Sequence, residues 1–342
     1  MKKCFVVKLF LLVFFVSVCL ISLPNIAAAQ KEIKMNYSNF FPAPHANSVL
    51  ADQWCKEVEK RTNGRVKVTI FHGGTLTPAP MVYDGVVKGL SDVGMSVLAY
   101  TPGRFPLTEV IDLPLGYKNA TVATALINEF YKKFKPKEFD DVQVMYLHAH
   151  GPGFPHTKKP VAKLEDLKGM KIRAHGFSAK VVTALGAAPV GMAMGETYDA
   201  LSKGVVEGVM APMEALQGWK WGDLVKYSIY NTGASYTTGF FVVMNKAKWN
   251  ALPKDIQQII TKLNEEWIPK QAQTWDAIDE SGKVYAAKLG NKFTPLSKEE
   301  EARWAQAVKP LLDGYVTNAT AKGVPGDQAL KFCQDYLKKY NK

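Results

Sequence analysis

Apolar and polar positions along this chain follow two periods that take turns. Glu32-Ile33-Lys34-Met35-Asn36-Tyr37 alternates strictly, as a strand with one buried face does. Phe40-Phe41-Pro42-Ala43-Pro44-His45 carries two prolines, which predict a loop. From about Asn47 the period lengthens: Leu50, Trp54 and Val58 recur every four positions on one helical face, and Thr62-Asn63-Gly64 predicts the stop. Val66, Val68 and Ile70 form a second strand ending at His72-Gly73-Gly74, a helix covers Pro80 to Lys88, and a third strand runs from Asp92 to Val97. Strands alternating with helices imply an α/β fold with a largely parallel sheet and ligands at the C-terminal ends of its strands.

The second half repeats part of the first. Residues 83–95, from Tyr83-Asp84 to Gly94-Met95, align without gaps with residues 198–210, from Tyr198-Asp199 to Val209-Met210; Tyr, Asp, Lys, Gly and Met coincide. Two like lobes facing across a cleft are the expectation, with Ser96 and Ala211 at equivalent strand ends. Val142 to His148 is another strand, and the stretch to Pro155 carries the chain towards the second lobe. A helix near Ser178 to Leu185, a strand at Pro189 to Met192 and a strand-like Tyr236 to Asn245 follow. Asp255 to Leu289 reads as one helix interrupted by Pro269; at 1.5 Å per residue it would reach about 50 Å, enough to span both lobes, with a kink at the proline.

One decapeptide carries candidate chemistry. Leu164-Glu165-Asp166-Leu167-Lys168-Gly169 is a helical turn closed by glycine, and Met170-Lys171-Ile172-Arg173 is a strand ending in arginine. A guanidinium presents a planar fork of donors that matches a carboxylate bidentately. Taken alone, these ten residues fit a solvated edge-strand arginine better, because charged side chains are mostly exposed.

Composition narrows the setting. Lys2, Lys3 and Lys8 precede an uncharged apolar run from Leu9 to Leu23 and the triplet Ala27-Ala28-Ala29, the pattern of a secretory signal peptide cleaved after Ala29. The run has 15 residues, short of the roughly 17–25 that span a membrane. Cys19 follows Val18, where a lipid attachment signal would have a small residue. Loss of residues 1–29, with three lysines and no acid, takes the formal charge from +12 to +9. The lysines are scattered and none of their runs is interleaved with aromatics, which argues for a diffuse field favouring anions and against a nucleic-acid partner. Cys55 and Cys333 remain in the mature chain, and an exported protein permits a bridge between them.

These residues resemble the solute-binding proteins of tripartite ATP-independent periplasmic (TRAP) transporters, of the dicarboxylate-binding type. The resemblance rests on Thr62-Asn63-Gly64-Arg65-Val66, Leu164 through Arg173, Glu196-Thr197-Tyr198-Asp199-Ala200-Leu201, Gly204-Val205-Val206-Glu207-Gly208 and Trp249-Asn250-Ala251-Leu252-Pro253, in that order along nearly all the mature chain. It implies a two-lobed α/β periplasmic-binding-protein fold with the ligand cleft between lobes, a long hinge-spanning helix, and an arginine at Arg173 that takes the ligand carboxylate. The expected division is a signal peptide over 1–29, one lobe from 30–152 with 240–280, and a second from 153–239 with 281–342. Partners would be a small organic carboxylate and the small and large membrane subunits of the transporter, in the periplasm, with no cofactor and no catalysis.

Relatives that bind acidic sugars often have asparagine before a proline where this chain has Ala211-Pro212, and a second arginine where it has Gly153. The resemblance also places Ser96, Val97, Tyr100 and Met194 near the ligand, with Phe154, Met213 and Trp219 close by in sequence and His150 as a hydrogen-bonding candidate. That lining is apolar and aromatic and points to a monocarboxylate with an apolar or aromatic body. Two other readings stay open: a secreted metal-dependent hydrolase built on His148, His150 and His156, and the binding protein of an ATP-driven importer.

Overall fold

The computed structural model describes residues 32–341, of which residues 34–341 belong to one compact unit. Cleavage at Ala29 and the apolar run before it lie outside the described residues. Eleven strands are found among those described: β1 (Ile33–Asn39), β2 (Val66–Phe71), β3 (Val93–Val97), β4 (Val142–Ala149), β5 (Phe154–Thr157), β6 (Lys171–Ala174), β7 (Ala188–Gly191), β8 (Gly208–Ala211), β9 (Tyr227–Tyr230), β10 (Gly239–Asn245) and β11 (Lys292–Pro295). The helices are α1 (Ala46–Arg61), α2 (Val82–Val87), α3 (Ala120–Phe134), α4 (Gly176–Ala184), α5 (Met194–Ser202), α6 (Ala215–Gly218), α7 (Lys246–Asn250), α8 (Lys254–Lys288), α9 (Lys298–Val308), α10 (Pro310–Ala321) and α11 (Gly326–Tyr340).

The strands form two sheets, ordered β2-β1-β3-β10-β4 and β11-β9-β5-β8-β6-β7. The predicted parallel pairing holds for β1 with β3 and for β6 with β7 and β8. Each sheet also contains one strand that runs against its neighbours: β10 pairs antiparallel with β3 and β4, and β5 antiparallel with β8 and β9. On these two strands the chain arrives from the other sheet, whereas β11, reached through α8, pairs parallel with β9. The internal repeat is real in three dimensions. In both copies a helix, α2 or α5, ends near a glycine in the left-handed region, Gly89 at φ 74° or Gly204 at φ 72°, and feeds an inner strand, β3 or β8. Only glycine adopts that turn without strain.

Helix α8 runs unbroken for 35 residues through Pro269. Its first half packs on the first sheet's layer: Asn264 accepts from the Trp54 indole at 2.9 Å, Glu266 takes a bidentate pair from Arg61 at 2.9 and 2.8 Å, and Gln271 donates to Asn47 at 2.6 Å. Its second half meets the second lobe, where Gly282 lies flat against the Met213 carbonyl and the Tyr285 hydroxyl donates to Asp223 at 2.7 Å. One helix therefore bridges both lobes, as the length predicted.

Residues 281–342 do not all belong with the second lobe. Tyr315, Ala319, Ala329, Cys333 and Leu337 are buried in the core of the first, among Leu126, Ile127 and Phe130. The cause is the apolar stripe Ala329-Cys333-Leu337 at helical spacing on α11, which docks on α3. Cys333 is thus packed in a core while Cys55 is buried on α1, and both are free thiols.

Candidate ligand site

Strand β6 is internal, between β8 and β7, and Arg173 near its C-terminal end is completely buried. The edge-strand alternative is thereby removed. Its guanidinium donates from Nε and Nη2 to the Met192 carbonyl at 3.1 and 2.9 Å, and from Nη2 to the Tyr100 hydroxyl at 3.4 Å. The Trp221 ring lies 5.6 Å from its central carbon. Among the described residues no carboxylate comes within 4 Å of it. A guanidinium has five N–H donors, and here only neutral acceptors meet them. Burying a cation without an anion is costly, so the arrangement is poised for an anion arriving from outside.

Beside Arg173 opens a narrow cavity lined mostly by aromatic and apolar side chains. Of the sequence-predicted residues, Val97, Tyr100, His150, Arg173, Met194 and Ala211 line it. The Tyr100 hydroxyl accepts from the Met194 amide at 3.0 Å as well as from Arg173, which leaves its own hydrogen to give away. Burial raises its pKa, so it stays a neutral donor.

Four expected residues stand elsewhere. Ser96 is turned to the opposite face of β3 from Val97 and donates to the Ala79 carbonyl at 2.7 Å, because successive strand residues alternate sides. Phe154 packs edge-on against Tyr230 at 5.1 Å and, with Met213, borders a separate cavity near Asp279. Trp219 sits behind the cavity wall, stacked at 6.3 Å on Phe40.

The wall itself is largely made of residues that local pattern did not single out: Phe40 and Phe41 from the proline loop, Tyr236, Phe240 and Trp275. Phe240 faces Val97 across the β3–β10 pair, and its ring stacks on His148 at 4.7 Å. Gly153 stands where the resemblance put a second arginine; a Cβ there would lie 2.2 Å from the Tyr236 ring, so that aromatic ring fills the place. Glu214 also lines the cavity and is hydrogen-bonded to His45 Nε2 at 2.9 Å. His175, another wall residue, lies edge-on to Tyr100 at 5.0 Å and keeps a buried Nδ1 without a partner.

Four buried histidines, His148, His150, His156 and His175, are held neutral. Burial pulls His150 down to about 4, and the nearby Arg173 charge adds to the effect. His175 falls well below the ordinary range through burial and then the Arg173 charge. His148 and His156, lowered by burial to about 3 and about 4, serve other partners: Trp275 donates to His148 at 2.9 Å, while His156 bonds Ser228 at 2.8 Å and the Ala211 carbonyl at 3.1 Å. The hydrolase reading of His148, His150 and His156 has no support in this geometry, since His148 is committed to Trp275 and His156 to Ser228 and the Ala211 carbonyl. Among the described residues no group of three or more His, Cys, Asp or Glu could hold a metal ion.

Two lobes, a bridging helix and a buried arginine at an aromatic cavity define a binding protein for small organic anions. The chain belongs to the bacterial extracellular solute-binding protein family 7, whose model matches residues 38–318. Among solved structures it is similar to a TRAP periplasmic solute-binding protein from Desulfovibrio salexigens, at 34% identity over 90% of this chain and 97% of that one, with a TM-score of 0.80. It is also similar to a marine metagenome TRAP solute-binding protein specific for aromatic acids, solved with metahydroxyphenylacetate, at 30% identity over 91% and 100% and a TM-score of 0.87. A third, from Rhodoferax ferrireducens with copurified benzoate, is 29% identical over 90% and 98%, with a TM-score of 0.85. The protein is therefore a TRAP solute-binding protein, which binds an organic acid for the transporter's membrane subunits and is not an enzyme. Proteins of this family are periplasmic. The comparisons favour this class over the ATP-driven importer.

Proposed function

We propose that this chain captures a monocarboxylate with an aromatic body, Arg173 and Tyr100 taking the carboxylate and Phe40, Phe41, Phe240 and Trp275 enclosing the ring. The observation that carries this reading is the completely buried Arg173, with no anionic partner among the described residues, opening on a narrow aromatic-walled slot. Charge-assisted hydrogen bonds contribute about 1.5–3 kcal/mol each, short of the roughly 8 kcal/mol of micromolar affinity. Burial of the ligand body, at about 25 cal/mol per Å², supplies much of the remainder. Two of these relatives hold aromatic acids, which supports the same reading. Neither Ala211 nor Gly153 carries a polar side chain at the two positions where sugar-acid binders anchor hydroxyl-rich ligands, and the Tyr236 ring covers Gly153. Export rests on the signal pattern, with cleavage after Ala29 releasing the mature chain.

Native mass spectrometry of freshly purified protein, followed by a thermal-shift screen of aromatic, aliphatic and sugar carboxylates, tests the proposal. Retention of an aromatic acid, or a larger shift with benzoate-like acids than with C4-dicarboxylates, is expected. Stabilisation by a dicarboxylate or a sugar acid alone would contradict it.

A further inference from the structure

His150 has hydrogen-bonding capacity that the carboxylate contacts do not use, and the role it can take rests on the site holding an aromatic acid. Its Nδ1 donates to the carbonyl of the next residue, Gly151, and its own backbone carbonyl is fixed by the Thr237 hydroxyl at 2.6 Å. The ring is wedged edge-on among Tyr236, Phe240 and Trp275, with centroids 5.6, 6.2 and 6.1 Å away. A neutral imidazole carries one N–H, and Nδ1 has spent it. Nε2 is then a bare lone pair, with no partner among the described residues, on a side chain that lines the cavity. Burial and the Arg173 charge both hold the ring in that neutral form. His150 and Arg173, the cation that receives the carboxylate, line the same cavity.

We propose that His150 Nε2 accepts a hydrogen bond from a hydroxyl on the carbon beside the bound carboxyl group, so that the site prefers aromatic 2-hydroxy acids to their 2-oxo and unsubstituted counterparts. A hydroxyl donates to the lone pair. A 2-oxo oxygen sets one acceptor against another, and a methylene leaves Nε2 unpaired in a buried site.

Calorimetric titration of the purified protein with each mandelate enantiomer, phenylglyoxylate and phenylacetate decides the point. One mandelate enantiomer is expected to bind about 3–10-fold more tightly than phenylacetate, with phenylglyoxylate no tighter than phenylacetate. In His150→Phe the ratio of mandelate to phenylacetate affinity is expected to fall to about one. Equal affinities for mandelate and phenylacetate in the unmodified protein, or a preference that survives in His150→Phe, would overturn the inference. Should that variant not fold, the ligand series on the unmodified protein still decides. Binding of none of the three acids would remove the aromatic-acid reading, and this inference with it, whereas binding without hydroxyl preference removes the inference alone.

Discussion

Arg173 and the histidines around it show how single side chains set the character of this site. A guanidinium held by one backbone carbonyl and one phenol offers its remaining donors to the cavity. Lysine would supply charge without the fork, so Arg173→Lys is expected to bind little better than Arg173→Ala. The neutral histidines make a second expectation. His156 has a folded pKa of about 4 against an ordinary value near 6.5, so between those values the unfolded chain holds the extra proton. The stability His156 contributes is complete above about pH 6.5 and is lost as pH falls towards its folded value. One proton is worth about 1.4 kcal/mol per pH unit. Comparing pH 7 with pH 5 by urea denaturation, His156→Gln is expected to lose about 2 kcal/mol less than the unmodified protein; equal losses would show that His156 is not held neutral. At this scale the sequence told much about identity and little about direction. Arg173 was picked out by its motif and Tyr100 only by the family resemblance, which could not separate it from Ser96; Ser96 and Val97 differ only in which side of β3 they face, and that register is set by the pairing with β10, more than a hundred residues away.

Several elements were legible from their local period, but α3 and α11, whose apolar stripes are as regular, were not singled out. The repeated helix, glycine and strand of 83–95 and 198–210 became α2–β3 and α5–β8, and their strand ends, Val97 and Ala211, both reach the cavity. Helix α8 keeps its predicted length because tertiary contacts on both halves outweigh the hydrogen bond lost at Pro269. The proline loop could be placed, but not its function: Phe40 and Phe41 become walls only through the rings of the distant Phe240 and Trp219. Helical glycines give the test at this scale. Alanine is favoured over glycine in a helix by about 1 kcal/mol, and Gly314 on α10 has open space around it, so Gly314→Ala is expected to stabilise. At Gly282 a Cβ would sit 2.1 Å from the Met213 carbonyl, so Gly282→Ala is expected to destabilise by about 1–3 kcal/mol despite the same propensity gain. Denaturation midpoints of the two variants moving the same way would contradict the close packing of α8 on the second lobe.

Across the whole molecule, the chain passes between sheets after β4, after β9 and again beyond α8, so the lobes are tied at several points while the cavity lies among residues of both. The C-terminal helices return to the first lobe, an arrangement no local period could announce because it depends on α11 finding α3 about two hundred residues back. Side chains also link the lobes directly: His45, at the start of α1, bonds Glu214, just beyond β8, and Tyr100 of the first lobe bonds Arg173 of the second. Removing an interlobe bond lowers the population of the arrangement that encloses the ligand and so weakens apparent affinity. His45→Ala is expected to weaken acid binding about 3–10-fold although His45 does not line the cavity; unchanged affinity would show that this bond does not favour the ligand-enclosing arrangement. The most direct test of the account as a whole is calorimetric titration of an aromatic monocarboxylate such as benzoate into the unmodified protein and Arg173→Ala. The expected result is one molecule bound per chain, a loss of affinity of about 100-fold or more in the variant, and an apo melting temperature unchanged or raised, since a buried charge without an anionic partner is removed. Undiminished affinity in Arg173→Ala, or a variant that no longer folds, would contradict it.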